Sequence, residues 1–415
     1  MQRCGGVWGS AMTGALLVAM TFGAAAPASA AGKKPSGKSA GAESCVDPDD
    51  APNFPWQKFK SGDTCVEFTN SLSFAYQRLM QSSGSLPTPL RSGTATIGNQ
   101  EVKTVTYEPR IATTTPTGLG DLRTVLGIQL QRSSGDTYVY TTLSEGTVAL
   151  AGATAGYTSS VMNFWSGDFQ FSATSPQRTV AVARYEYEVI ENGKLGLSLE
   201  TGVPTRQTNS KLFAPVYPDD PVLAARFLYE TEPLSVQLAG MVHRAKVEPD
   251  RQLPGVLNPP DHIDGWAVTA GTTFAVLPVG EDDEISAQIT YAANASSYLG
   301  TNSDLSTFAS ALPFSVDTRG WSVVASYHRP WTEQWESNVF VSHLALDIST
   351  PFGDPTLTST RYAGNLIFKP YGAVKLGAEL GYLDLRTEMP SGLTGIVRGV
   401  TGRGLTGYLF ASVEF

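Results

Sequence analysis

The stretch Gly402-Arg403-Gly404-Leu405-Thr406-Gly407-Tyr408-Leu409-Phe410-Ala411-Ser412-Val413-Glu414-Phe415 decides the fold class. Leu405, Leu409, Ala411, Val413 and Phe415 fall on one face of a strand. Thr406, Ser412 and Glu414 fall on the other. A period of two, with one apolar and one mostly polar face, suits a strand set between lipid and a watery lumen. The chain then stops on Phe, with no tail.

The same pattern recurs upstream from Thr64. Strand 1 is expected over 64–80, with Val66, Phe68, Leu72, Phe74 and Tyr76 on one face. Strands 2 to 5 follow at 101–112, 121–132, 136–144 and 146–158. Strand 6 (179–190) meets strand 7 (194–203) at Asn192-Gly193, a tight-turn signal. Strands 8 and 9 (222–231, 234–247) meet at Glu232-Pro233, and 10 and 11 (265–277, 284–298) flank Pro278-Val279-Gly280. Strands 12 and 13 (319–330, 335–348) flank Trp331-Thr332, and 14 and 15 (359–369, 372–388) flank Pro370-Tyr371. Strand 16 is the terminal one. Short turns at one end and longer segments (204–221, 248–263, 299–318, 389–401) at the other give the asymmetry of a transmembrane antiparallel β-barrel of about sixteen strands, short turns periplasmic. Trp266 and Trp321 on the long-loop side, with Trp331 and Trp335 at a short turn, mark two membrane interfaces. The competing reading is a soluble sandwich with Trp in its core.

Residues 1–30 read as a secretory signal: Arg3, an apolar stretch over 11–26, and Ala28-Ser29-Ala30 as the cleavage site. No apolar run of about 18 residues follows, so no transmembrane helix is expected. Residues 31–44 form a low-complexity basic leader. The domain plan is therefore signal (1–30), leader and disulfide loop (31–60) and barrel (61–415). A hydrophobic content of 41% and a mean hydropathy of -0.09 fit a wall in which only alternate residues meet lipid. A net charge of -9 argues against nucleic acid as a partner. Of three Cys, Cys4 leaves with the signal. Cys45 and Cys65 remain as an even pair in an oxidising compartment, for which a disulfide is the natural reading and two reduced thiols the alternative.

One connection breaks the pattern. Residues 159–178, SSVMNFWSGDFQFSATSPQR, are aromatic-rich and nearly uncharged. Such a segment is a poor solvent-exposed loop and is expected to fold into the lumen as a constriction built on Asn163, Phe164, Trp165, Asp168 and Phe169. The small residues of 148–156 would leave room for it on the wall. Alternation puts Ala181, Ala183, Tyr185 and Tyr187 toward lipid, hence Arg184, Glu186 and Glu188 toward the lumen. It also turns Arg110, Arg123, Arg226, Arg361 and Lys375 inward, because a lipid-facing Arg at mid-bilayer costs about 2–4 kcal/mol. These bases either form a wall facing Asp168, making a transverse field, or pair with Glu108, Glu186, Glu230 and Glu379 and merely solvate the lumen.

Several features together resemble the alphaproteobacterial general porins. These are Cys45 and Cys65 ahead of strand 1, Ala155-Gly156-Tyr157-Thr158-Ser159 running into Asn163-Phe164-Trp165, and a terminal Phe415 that looks like the assembly signal of outer-membrane barrels. The resemblance covers nearly the whole mature chain. It implies a sixteen-stranded trimeric porin in outer-membrane lipid, passing small hydrophilic solutes and ions. The chain departs from that family in carrying only Asp168 as an acid in the inward loop and in lacking a Gly-Tyr start to strand 1.

Other matches carry nothing. Gly32-Lys33-Lys34-Pro35-Ser36-Gly37-Lys38-Ser39 fits the P-loop pattern but lacks the strand and helix that would aim its amides. Gly37-Lys38-Ser39-Ala40-Gly41 fits a nucleophile elbow by composition alone. His243, His262, His328 and His343 have no metal-ligand spacing, so neither metal nor cofactor is expected. The expected function is passive diffusion, without enzyme chemistry. The alternatives are a substrate-selective channel, a structural or adhesive barrel, and a barrel hydrolase.

Overall fold

The computed structural model describes residues 58–84, 101–201, 217–218, 221–246, 262–275, 283–300, 317–349, 353–390 and 401–415. All belong to one compact unit, Asn53–Phe415. The signal, the leader with its P-loop-like run, Cys45, the Pro278-Val279-Gly280 turn and most of the long connections lie outside the described residues.

Sixteen strands form the wall. They are β1 Thr64–Gly84, β2 Glu101–Thr117, β3 Gly120–Ser133, β4 Tyr140–Leu150, β5 Ala153–Ser159, β6 Thr179–Ile190, β7 Gly193–Glu200 and β8 Val222–Thr231. They continue as β9 Leu234–Lys246, β10 His262–Ala275, β11 Glu284–Ala293, β12 Asp317–Pro330, β13 Trp335–Ser349, β14 Thr356–Tyr371, β15 Val374–Glu388 and β16 Gly402–Glu414. Each pairs antiparallel with the next, and β16 returns to β1, from Gly402 opposite Gly84 to Glu414 opposite Ser71. Beyond it, Phe415 exchanges both backbone hydrogen bonds with Asn70, at 2.8 and 2.9 Å. Closure leaves no sheet edge, so the wall's backbone donors and acceptors are satisfied without water, as a hydrocarbon environment requires. Two short strands, Lys58–Ser61 and Tyr217–Pro218, pair with β1 and β9 outside the ring.

Directly opposed residues in an antiparallel ladder share a face. The outer face therefore carries Leu72, Phe74, Val105, Leu195, Leu197, Leu238, Val268, Ile289, Val341, Leu366, Leu380 and Leu409, all exposed. Trp266, Trp321, Trp331 and Trp335 also stand outward and exposed. Trp266 rests on Tyr291 and Trp335 on Phe368, with ring centroids 5.4 and 4.7 Å apart. Arg329 lies 4.3 Å over Trp331. The interior follows the alternate residues.

The hairpin between β4 and β5 corrects the sequence reading, which broke the chain near 145. The turn is at Ala151 (φ 50) and Gly152 (φ 83), the two positive φ angles of a tight hairpin. Ala is a poor signal for that conformation, so the sequence does not announce the turn. The irregularity near residue 145 is a bulge in the β3–β4 ladder after Gly127. Gly156 (φ 135) has a further reason to be small: a Cβ would sit 2.0 Å from the Gly146 carbonyl oxygen. The small residues of 148–156 thus serve the hairpin and the β4–β5 contact, not a seat for the loop. The hairpins at Asn192 (φ 62) ahead of Gly193, after Thr231, after Pro330 and after Tyr371 lie within a residue or two of their expected positions, whereas β2 runs to Thr117, five residues past its expected end.

Candidate functional site

β5 has only seven residues. The chain leaves the wall after Ser159 and re-enters at Thr179. Its base is closed by Ser160 N–H to the Arg178 carbonyl (3.0 Å) and by the Asn163 side chain, which donates to that carbonyl (2.9 Å) and accepts from Arg178 N–H (3.0 Å). Glu200, buried on β7, takes the Ser160 hydroxyl at 2.6 Å and Val161 N–H at 2.9 Å. Both oxygens of this carboxylate are thereby spent turning the chain inward.

From there the segment runs along the inner faces of β9 to β15, and nearly every step is tied to a wall side chain. Gln237 donates to the Val161 and Asn163 carbonyls. Gln288 donates to the Met162 carbonyl and accepts from Trp165 N–H, each at 2.9 Å. The Trp165 indole donates to Ser326 at 2.8 Å. Lys375 reaches Asp168 at 2.8 Å, and Asn365 donates to the Asp168 carbonyl at 2.6 Å. Glu379 accepts the consecutive amides of Gln170 and Phe171, one on each oxygen. Arg361 donates to Ser172 at its carbonyl (2.9 Å) and hydroxyl (3.2 Å), and Thr174 N–H donates to Ser342 at 3.0 Å.

Aromatic packing lies between these bonds. Trp165, Phe169 and Phe171 surround Phe340 of β13, with centroids 5.8, 4.7 and 6.4 Å away. Burying each such ring contributes about 1.5–3 kcal/mol. Two glycines make room. A Cβ on Gly271 would lie 2.2 Å from the Phe164 ring, and one on Gly381 would lie 2.4 Å from the Phe171 ring. A second inward element backs the first. The 3-10 turn Ser296–Leu299 is wholly buried, and Tyr298 lies 5.0 Å beneath the Arg178 guanidinium. Burial draws that guanidinium down to about 10, partly offset by Tyr298, so it stays a cation at neutral pH. Burial likewise raises the Tyr298 hydroxyl.

The expected lumenal charges can now be located. Arg184 opposes Ser198, on the face of Glu200, and register carries that face through Thr154 and Ala149 to Arg123. Arg226 joins it opposite Gly196, and Arg110 opposite Gly127, itself opposite Glu145. All seven charged positions therefore lie on the inner face, in two groups. Arg361 and Lys375 hold the segment. Arg226 pairs with Glu186, Arg184 donates to the Ser159 carbonyl at 2.7 Å, and Arg110 pairs with Glu145 at 3.4 Å. Arg123 is exposed in the lumen near the short-turn end. Sequence reasoning missed the anchors Glu200, Gln237, Gln288, Phe340, Asn365 and Glu379, and the Ser296–Leu299 turn. Alternation marks those anchors as inward, but nothing in the chain says which inward polar residue meets the loop.

A closed sixteen-stranded wall with a segment bound against its inner face has a family. Residues 62–396 match the model of Porin_2, the porin subfamily. The chain belongs to this family. Among solved structures the porin resembles the outer membrane channel DcaP of Acinetobacter baumannii, with 17% identity, 86% of this chain and 99% of that chain covered, and a TM-score of 0.67. It also resembles outer-membrane expressed OmpT of Vibrio cholerae, at 10% identity, 86% and 100% coverage and a TM-score of 0.51. A trimer form of in-vitro folded OmpT matches at 12% identity, 85% and 99% coverage and a TM-score of 0.51. These likenesses concern the fold. No curated protein matches the chain. The porin is a bacterial outer-membrane channel for passive diffusion.

Proposed function

We propose that the porin is a general diffusion channel for small hydrophilic solutes and ions, narrowed by the segment 160–178, and that it works as a homotrimer of the alphaproteobacterial general type. The observation that carries this reading is the attachment of that segment to the inner wall through Glu200, Gln288, Arg361 and Glu379. A segment bound at so many points across the lumen reduces the bore without sealing it and sets a size limit. No bond is made or broken in transport. Asn163, Phe164, Trp165, Asp168 and Phe169 would form the narrow zone, and Arg110, Arg123, Arg184, Glu186 and Arg226 would line the passage. Likeness to a trimer form of another outer-membrane protein supports the trimer. Residues 1–30 would be removed on export, 31–60 would carry a leader with a Cys45–Cys65 disulfide, and 61–415 would form the barrel. The test is single-channel conductance of the refolded mature protein in a planar bilayer. Open steps in multiples of three are expected. Stable insertion without conductance would reject the channel reading.

A further inference from the structure

The outer face is not apolar throughout. At the long-loop end of β13 to β15, His343, Thr358, Thr360, Tyr382, Asp384 and Arg386 line a recess of about 300 Å³. Register joins them: His343 opposes Thr360, Thr360 opposes Asp384, and Asp384 opposes Arg403 of β16. They alternate along the strands with the buried, inward Arg361, Leu383 and Leu385, so the recess opens away from the lumen. Its depth in the membrane can be read from the aromatic belts. Trp335 rests on Phe368, which opposes Leu376, and these mark the short-turn interface. Arg386 stands ten residues farther along β15 on the same face. A tilted strand crosses the hydrocarbon in about 9–11 residues, which sets the recess at the opposite boundary. Trp321 stands there too, its ring centroid 5.1 Å from that of His343.

The chemistry of the recess selects an anion. Arg386 donates to Asp384 through Nε at 3.1 Å and Nη2 at 2.8 Å, and Arg403 Nε lies 3.3 Å from the same carboxylate. Two guanidiniums share one acid, so one positive charge is left over, and both cations stay more than half exposed (58% and 56%). The hydroxyls of Thr358, Thr360 and Tyr382 add neutral donors beside them. Toward the bilayer centre the face turns apolar at once, with Tyr362 and then Val339, Leu366 and Leu380 exposed. A soluble anion has no use for that apolar track. An amphiphile with an anionic head uses both halves. We propose that the recess binds the phosphate-bearing headgroup of an outer-leaflet lipid, whose acyl chains lie along the track below it. Such a lipid is a component of the barrel's outer surface and takes no part in solute passage.

The test titrates the refolded mature protein, held in a neutral detergent, with diphosphoryl lipid A and counts bound lipid by native mass spectrometry. Saturable binding is expected, and inorganic phosphate should not displace it. Arg386→Gln and Arg403→Gln each leave the cluster neutral and should each weaken binding about tenfold, the loss of one charge-assisted hydrogen bond. Lys103→Gln removes an outward charge at the long-loop end of β2, opposite Tyr76, and should leave the affinity unchanged. Each variant is first checked for its heat-modifiable folded form, and either arginine variant alone suffices should the other fail to fold. Unchanged affinity in the arginine variants, or an equal loss in Lys103→Gln, would overturn the site in favour of diffuse charge attraction. Displacement by inorganic phosphate would overturn the lipid assignment in favour of a soluble anion. No lipid binding by the unsubstituted protein, together with dissociation of its oligomer on Arg386→Gln, would make this face a contact between copies and overturn the proposal.

Discussion

Glu379 is the anchor whose loss has the clearest consequence. Its carboxylate is buried, accepts the Gln170 and Phe171 amides on separate oxygens, and also accepts from Asn365 at 3.2 Å. Hydrogen bonds to a charged group contribute about 1.5–3 kcal/mol each. Glu379→Ala removes both backbone contacts and strands buried donors, so the centre of the segment should lose roughly 3–5 kcal/mol of attachment. At about 1.4 kcal/mol per factor of ten, the detached population of 168–172 rises at least a hundredfold. The wall itself should stand, because the cross-strand pairings of residue 379 with Asn365 and Tyr408 are made by the backbone. Single-channel recording reads the effect as excess open-channel noise and frequent partial closures in a protein that still inserts normally. Glu379→Gln keeps one acceptor and should fall between the two. If Glu379→Ala gave the same quiet open level as the unsubstituted protein, the reasoning that these bonds immobilise the segment would be refuted.

Three other outcomes are expected. Gly156→Ala places a Cβ 2.0 Å from a backbone oxygen at a φ of 135, so refolding yield, followed by heat-modifiable electrophoretic mobility, should drop sharply. Leu380→Arg on the outer face should cost about 2–4 kcal/mol in barrel stability measured by denaturant titration, while Thr106→Arg on the inner face should cost far less. Mature protein should show no alkylation of Cys45 or Cys65 under denaturing conditions until a reductant is added, and both should react afterwards.

The wall was legible because a strand between two solvents must alternate, and alternation survives in the sequence at every strand from Thr179 onward. Strands β6 and β8 fall on their expected residues, 179–190 and 222–231. The early half was harder. The turn at Ala151-Gly152 uses a residue that does not announce a positive φ, and a bulge beside Glu145 shifts the period by one. The inward segment was legible as a class, since uncharged aromatics such as Phe164, Trp165 and Phe171 are costly in water. Its partners were not. Glu379 and Gln288 look in sequence like any inward polar residue, and their role depends on which strand lies across the lumen, more than 100 residues away along the chain. The same holds for Asp168. Sequence set it facing a wall of inward bases without saying which one it would meet; that base is Lys375, at 2.8 Å.

The most direct test of the account is the solute size limit, measured by liposome swelling with a graded series of sugars and polyols, for the refolded porin and for a variant lacking 162–176. The account predicts that the intact protein excludes solutes that the shortened one admits. An unchanged limit would show that the narrowest point lies elsewhere and would contradict the role assigned to the segment.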